Sequence, residues 1–523
     1  MKSLLISGGR VIDPATNLDV VADVLILDGK IAAVTRRDTG AATKNVPHGT
    51  HVIEAAGRIV CPGFIDTHVS LREPGFEEDE CTATGTAAAL AGGFTTIAAQ
   101  SDTHPVVDDR AAAEFIRLQA DRARNCRVYP LGAVTKESKG EELAEIGQLV
   151  QGGAVGFSDA KRPVANSEVM RRALEYTRMF NRPILHFAMV PELSDGGVMH
   201  EGFEATRLGF RGIPAAAQDI MTGRDIALAE LTGGQIHLMC VTTIDSVERI
   251  RRAKSRGISV TADVTPHHLL LTDQMMRSFE TKYKCNPPLR SQEHVEALIV
   301  GLQDGTLSAI SSDHQPLALE KKQVDMDTAP FGICGIETLL PVCIRALIEP
   351  GHLTWLQLIA RLTTGPAAIL GLNHGTLTVG QPADVTLLDP AKIWTVRANE
   401  FLSRSRNTPF DGVEFTGKVV TTIVDGEVRF QTENCPSYVA HTICPHRSQK
   451  HQRQGPRRFR PHAHSSRHHF RTSAIVGDSG QRDPGMRSRN LVAGIHLRIQ
   501  ETGSTRAGLR LVVQPFVQSE CKV

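Results

Sequence analysis

Five side chains of the kinds that hold metal ions stand at or near the ends of short apolar runs. They are His68 in Asp66-Thr67-His68-Val69-Ser70, Asp159 in Phe157-Ser158-Asp159, His186 after Ile184-Leu185, Cys240 after His237-Leu238-Met239, and Asp313 in Ser312-Asp313-His314. Imidazole, carboxylate and thiolate are the ordinary zinc ligands, and a bound zinc ion can turn water into a nucleophile at neutral pH. A carboxylate beside that water can take its proton as general base. Taken singly, His68, Asp159, His186 and Asp313 each read as a hydrogen-bonded structural residue. Cys240 reads as a small buried side chain at a strand end. Only a shared pattern makes a site of them.

The elements that would position such a site can be read from local pattern. Asp28-Gly29 separates Val24-Leu25-Ile26-Leu27 from Ile31 to Val34, and Asp425-Gly426 follows the apolar run Val419 to Val424. Asp-Gly between β-rich runs predicts a hairpin. A turn is also predicted at Gly8-Gly9, after Leu4-Leu5-Ile6. β-rich texture at both ends of a long middle predicts one small β domain, a sandwich built from residues 1–56 and 375–430.

The middle, residues 57–374, alternates short buried-strand candidates with helix-like stretches. The strand candidates run Arg58 to Cys61, Thr95 to Ile97, Val128 to Leu131, Pro183 to Leu185, Ile236 to Leu238, Ser259 to Thr261 and Ala309-Ile310; helices are predicted over Asp109 to Arg124, Ser167 to Phe180 and Gln292 to Leu302. That alternation predicts an α/β chain with a parallel sheet, and the number of units favours a closed (β/α)8 TIM-type barrel.

Aromatic residues make up only 5% of the 523, so the core must rest on Ala, Val, Leu and Ile. The formal charge of +1 hides an asymmetry: residues 441–523 hold fifteen Lys or Arg against four Asp or Glu. Subtracting that +11 from the whole chain's +1 leaves −10 on residues 1–440. A mildly acidic body gives no reason to expect nucleic-acid binding. Residues 431–523 are basic and rich in Arg and His, and are expected to be a disordered appendage without catalytic weight. The ten cysteines form no CxxC pair. No run resembles a signal peptide or offers ~18 apolar residues for a membrane span, so a reduced, cytoplasmic protein is expected.

The segment Pro62-Gly63-Phe64-Ile65-Asp66-Thr67-His68-Val69-Ser70-Leu71-Arg72-Glu73-Pro74-Gly75 resembles the first-strand motif of dihydroorotases. The resemblance continues in order through Gly92-Gly93-Phe94-Thr95-Thr96, Val260 to His268, Asn286-Pro287-Pro288-Leu289-Arg290, Ala329 to Ile333 and Asn407-Thr408-Pro409-Phe410. It covers roughly residues 1–430 and implies a metal-dependent barrel with a composite β domain. It also implies metal positions at His68, Asp159, His186, Cys240 and Asp313, with Asp313 as catalytic base and Arg72 and Asn286 as substrate-binding residues. The cofactor implied is zinc, if any metal is bound.

Several positions depart from the family pattern. Ser70 stands where a second histidine is expected, Cys240 where another is expected, and Ala160 where a second acid usually follows Asp159. Asp102, in Gln100-Ser101-Asp102-Thr103, replaces a neutral amide that would meet the substrate carboxylate, and Leu317 replaces a polar contact. Like charges in such a pocket repel by roughly several kcal/mol at an effective dielectric of ~20. The pattern is similar to inactive dihydroorotase-like subunits that accompany aspartate carbamoyltransferase. It implies an impaired protein of pyrimidine biosynthesis that scaffolds the transferase in an oligomer. The alternative is an active zinc-dependent cyclic amidohydrolase with a mononuclear or altered metal site.

Overall fold

Asp28 and Gly29 both adopt positive φ, 48° and 79°, and Asp425 and Gly426 do the same at 51° and 72°. Each pair closes the hairpin its sequence predicts. The structure, a computed structural model, describes residues 2–37 and 46–432. The basic segment expected to be a disordered appendage lies outside the described residues from 433 onward.

The two chain ends build one continuous eight-stranded sheet. Its strands are Ser3–Asp13, Leu18–Leu27, Lys30–Arg36, His51–Glu54, Ile59–Pro62, Val385–Thr395, Glu414–Val424 and Glu427–Gln431. Gly8-Gly9 makes no turn. Ser3–Asp13 runs straight through it, and the register against the next strand shifts between Ile6 and Gly9, a bulge that Gly8 accommodates at φ 71°. Ile59–Pro62, predicted as a barrel strand, joins the sheet instead. It pairs in parallel with Ser3–Asp13 and antiparallel with Val385–Thr395, so the β domain extends past residue 56.

Gly63 then carries the chain from sheet to barrel, packed so closely on Thr95 that no Cβ would fit. Eight parallel strands follow in sequence order: Phe64–Val69, Phe94–Ala99, Arg127–Gly132, Gly156–Phe157, Ile184–His186, Ile236–Leu238, Val260–Val264 and Ala309–Ile310. A parallel bridge from Val69 to His314, with Ser70 N donating to His314 O at 3.0 Å, brings the first strand beside the segment after the eighth. Ile65, Ala98, Leu131, Leu185, Met239 and Ala309 fill the interior, so the barrel is packed rather than open.

The predicted helices form over Arg110–Ala123, Ser167–Arg178 and Gln292–Gln303. Asp109 caps the first by accepting from Ala112 N at 2.8 Å, and Asn166 caps the second, each contribution being about 1 kcal/mol. They lay Ala113, Ile116, Met170, Leu174 and Leu298 against the outer face of the barrel. This geometry leaves the strand C-terminal ends, and the loops beyond them, to carry chemistry. No helix among the described residues is long and apolar enough to cross a membrane.

Candidate functional site

Alternation along the first strand turns Asp66 and His68 to one side, and both are buried at its C-terminal end. His68 meets two further strand ends. Its Nε2 lies 2.8 Å from Asp263 Oδ2, and His237 Nε2 reaches the same oxygen at 2.8 Å. The other Asp263 oxygen accepts Cys240 N at 2.8 Å, which fixes Cys240 in a positive-φ conformation at 53°. Burial works against ionising Asp263, yet the two imidazoles outweigh it and hold its pKa well below the ordinary value. Burial likewise disfavours charge on His68, but Asp263 overrides it and raises the imidazole well above its usual range. The floor of the mouth is therefore a His68–Asp263 pair in which each partner favours the other's charged form.

Above that floor, His68, Cys240 and Asp313 present ligand atoms within 4.8 Å of one another, all buried. Lys161 enters the same space. Its ammonium lies 2.8 Å from Asp313 Oδ1, 3.3 Å from Cys240 Sγ and 3.0 Å from the backbone oxygen of Asn286. Only 19% of the Lys161 side chain is exposed. Burial opposes its charge, but Asp313 and Cys240 prevail and hold the ammonium above the ordinary lysine pKa. Burial and then Asp313 push the Cys240 thiol upward, which disfavours the thiolate needed for zinc.

Asp159 and His186 do not join this group. Asp159 accepts from Val134 N at 2.7 Å, Thr135 N at 3.1 Å and Thr135 Oγ1 at 2.5 Å, pinning the segment after the third strand. His186 Nδ1 sits 2.6 Å from Asp225 Oδ2, while its Nε2 accepts Val164 N at 2.9 Å. Both ring nitrogens are thereby engaged, and no lone pair is left for a metal. The implied ligand set of five thus divides into three that converge and two that hold structure.

The substrate side is also committed internally. Arg72 Nη1 donates to Asp102 Oδ2 at 2.8 Å, and Ser70 Oγ donates to the same oxygen at 2.7 Å. The sequence suggested that Asp102 would repel an anion as a bare charge. Instead it is neutralised, and what it removes is the arginine. Asn286 keeps a buried Oδ1 without a hydrogen-bond partner among the described residues, while Leu317 is buried with its N–H on Asn407 Oδ1 at 3.1 Å.

The amidohydrolase family profile matches residues 59–429. A dihydroorotase of Geobacter sp. (strain M21) is 46% identical over 429 residues, covering 82% of this chain and 99% of that protein. One from Anaeromyxobacter dehalogenans (strain 2CP-C) is 48% identical over 427 residues, covering 81% and 97%. The chain belongs to the dihydroorotase family of amidohydrolases. Among solved structures, the fold is similar to L-hydantoinase from Arthrobacter aurescens, with a TM-score of 0.73 and 25% identity over 82% of this chain and 96% of that one.

Family membership raises the question of metal, and the donors answer it in part. A binuclear zinc centre does not fit this arrangement. Ser70 is bound to Asp102, Asp159 and His186 are engaged elsewhere, and an ammonium lies against two of the three remaining donors. A second group, His267, His268 and Cys285, also brings ligand atoms within 4.8 Å. There His268 is used on both sides, Nδ1 with Thr265 Oγ1 at 2.6 Å and Nε2 donating to Pro287 O at 2.9 Å. Burial lowers both imidazoles, His268 to about 3, so this group is a neutral packing unit. Sequence reasoning missed Lys161 and Asp263. The available signal was a lysine directly after Ala160, at the end of a short apolar run, which places a charged side chain near the barrel mouth without fixing its direction.

Proposed function

We propose that this chain is a catalytically impaired dihydroorotase-like protein of pyrimidine biosynthesis, serving as a scaffold for aspartate carbamoyltransferase. One observation carries the loss of catalysis: the Lys161 ammonium, 2.8 Å from Asp313, supplies inside the mouth the positive charge that a metal would bring. An ammonium cannot deliver a bound hydroxide, and a carboxylate held in an ion pair is a poor general base. The Arg72–Asp102 pair supports the same reading, because an incoming carboxylate would have to displace Asp102 from its arginine. The transferase partnership and an oligomeric assembly rest on the family resemblance.

The test is ring closure of carbamoyl aspartate and bound zinc, measured on the purified full chain alone and with aspartate carbamoyltransferase. Inactive, zinc-poor protein that co-migrates with the transferase is the expected result. Turnover alone at about 1–1,000 s⁻¹ would overturn the reading. The convergence of His68, Cys240 and Asp313 favours one second reading, in which a single divalent ion displaces Lys161 and cyclic-amide hydrolysis persists. One zinc per chain together with turnover would select it.

A further inference from the structure

A cleft of about 850 Å³ opens where the third, fourth and fifth barrel strands begin, at the opposite end from the site above. Arg117, Arg124, Arg127, Arg182 and Arg429 line it, beside Asp121, Asp425 and Glu427. Two of the arginines are spent locally. Arg127 pairs with both Asp384 and Asp425, and Arg429 pairs with Glu427 at 2.7 Å. Arg117, Arg124 and Arg182 form no ion pair among the described residues. Among the described residues, Arg182 reaches only the Leu370 carbonyl, at 3.4 Å, and the Nε atoms of Arg182 and Arg429 are buried without a partner.

Two glycines leave room for arginine side chains against the backbone of the floor. Gly153 and Gly371 both have positive φ, and a Cβ at Gly153 would meet Arg117 Cδ at 2.9 Å. Arg117 thus lies across backbone that no side chain covers. Residues 1–440 carry a formal charge of −10, so a cleft lined by five arginines against three acids, a local excess of +2, stands out from its surroundings. Arg117 and Arg124 are exposed, while the buried Arg182 Nε–H is costly to leave unpaired, and planar bidentate donors match phosphate oxygens. The volume lies in the range of small-molecule sites, roughly 300–1,000 Å³.

We propose that this cleft binds a polyphosphate-bearing small molecule of nucleotide size, through Arg117, Arg124 and Arg182. The site lies away from the barrel mouth, so its ligand is not the substrate of the strand-end chemistry. The proposal stands whether or not that mouth turns anything over.

Titration calorimetry on the full chain tests it, with tripolyphosphate, a nucleoside triphosphate and inorganic phosphate as separate probes. Saturable one-to-one binding of a polyphosphate probe is expected, with inorganic phosphate at least about tenfold weaker, since fewer charge-assisted bonds form. Preference for the nucleoside triphosphate would assign a nucleotide, and equal affinity an inorganic polyphosphate. The R117A/R182A double variant should weaken binding by about a hundredfold. If the double variant fails to fold, Arg124→Ala, at an exposed helix end, should still weaken it by about tenfold. Absence of saturable binding to the parent would overturn the proposal. So would binding that these substitutions leave unchanged, because the basic residues beyond 440 would then be the binders.

Discussion

Lys161 Nζ lies 2.8 Å from Asp313 Oδ1, so the carboxylate that the family pattern assigns to metal and proton transfer is held by a side chain of the same molecule. The pair is fed by two different strand ends. Asp313 follows the eighth strand and adopts a φ of 47°, while Lys161 follows the fourth, just after Ala160 at φ 51°. Its neutrality depends on both partners, because either charge alone would sit in a poorly solvated mouth.

Removing the cation tests that dependence. Lys161→Met should cost about 3 kcal/mol, as for a buried pair that loses one member, reduced somewhat by the residual exposure of the lysine. Zinc added to the variant should restore part of that loss, because Cys240 and Asp313, with His68 once it gives up its proton, could then converge on an ion. Urea unfolding with and without zinc measures both. A variant as stable as the parent, and indifferent to zinc, would refute the substitution of ammonium for metal.

The same pair governs whether a fuller donor set can take up metal. Restoring Ser70→His, Cys240→His, Asp102→Asn and Leu317→His should leave the chain metal-poor while Lys161 remains. Adding Lys161→Gly should raise bound zinc to about one ion per chain, because Asp159 and His186 stay engaged elsewhere. Metal analysis by plasma emission distinguishes the two. Full zinc loading of the fourfold variant would show that Lys161 swings aside without cost.

How much of this was legible beforehand depends on where each residue's partners come from. The Asp28-Gly29 and Asp425-Gly426 hairpins were readable because their conformation is decided within two residues. Gly8-Gly9 was misread as a turn because a bulge and a turn share the same local signal, and only pairing with Leu18–Leu27 separates them. His68, Cys240 and Asp313 do meet, as strand order in a barrel requires. The engagement of His186 by Asp225 and Val164 could not be read from the sequence, since those partners lie 39 and 22 residues away on other elements. Lys161 escaped notice for a related reason. Its long side chain can point into the mouth or out to solvent, and only the surrounding fold decides.

The separation of His186 from the mouth yields its own prediction. Asp225 is fully buried and holds both His186 and Arg224, and those partners outweigh burial to keep its pKa below the ordinary carboxylate value. Asp225→Ala should destabilise the fold by about 3–5 kcal/mol, because it strands an arginine and an imidazole. Bound zinc should stay at the parental level. A change in metal content without loss of stability would instead return His186 to the ligand set.

The His68–Asp263 pair makes stability depend on pH in a window whose edges follow from sign. His68 has a folded pKa raised above the ordinary 6.5, so its contribution is complete below that value and fades as pH rises through the folded pKa. Asp263 has a folded pKa held below the ordinary 3.8, so its contribution is complete above that value and fades as pH falls through the folded pKa. Both are fully present only between about pH 4 and 6.5. Across that range the pair should add a plateau of stability, which His68→Gln removes by abolishing the imidazolium. Thermal unfolding of parent and variant at several pH values checks the difference between the two curves. The gap should be widest between about pH 4 and 6.5 and should narrow as pH rises beyond it. A gap that widened steadily toward alkaline pH would mean that His68 is neutral in the fold and that Asp263 draws its stabilisation from His237 instead.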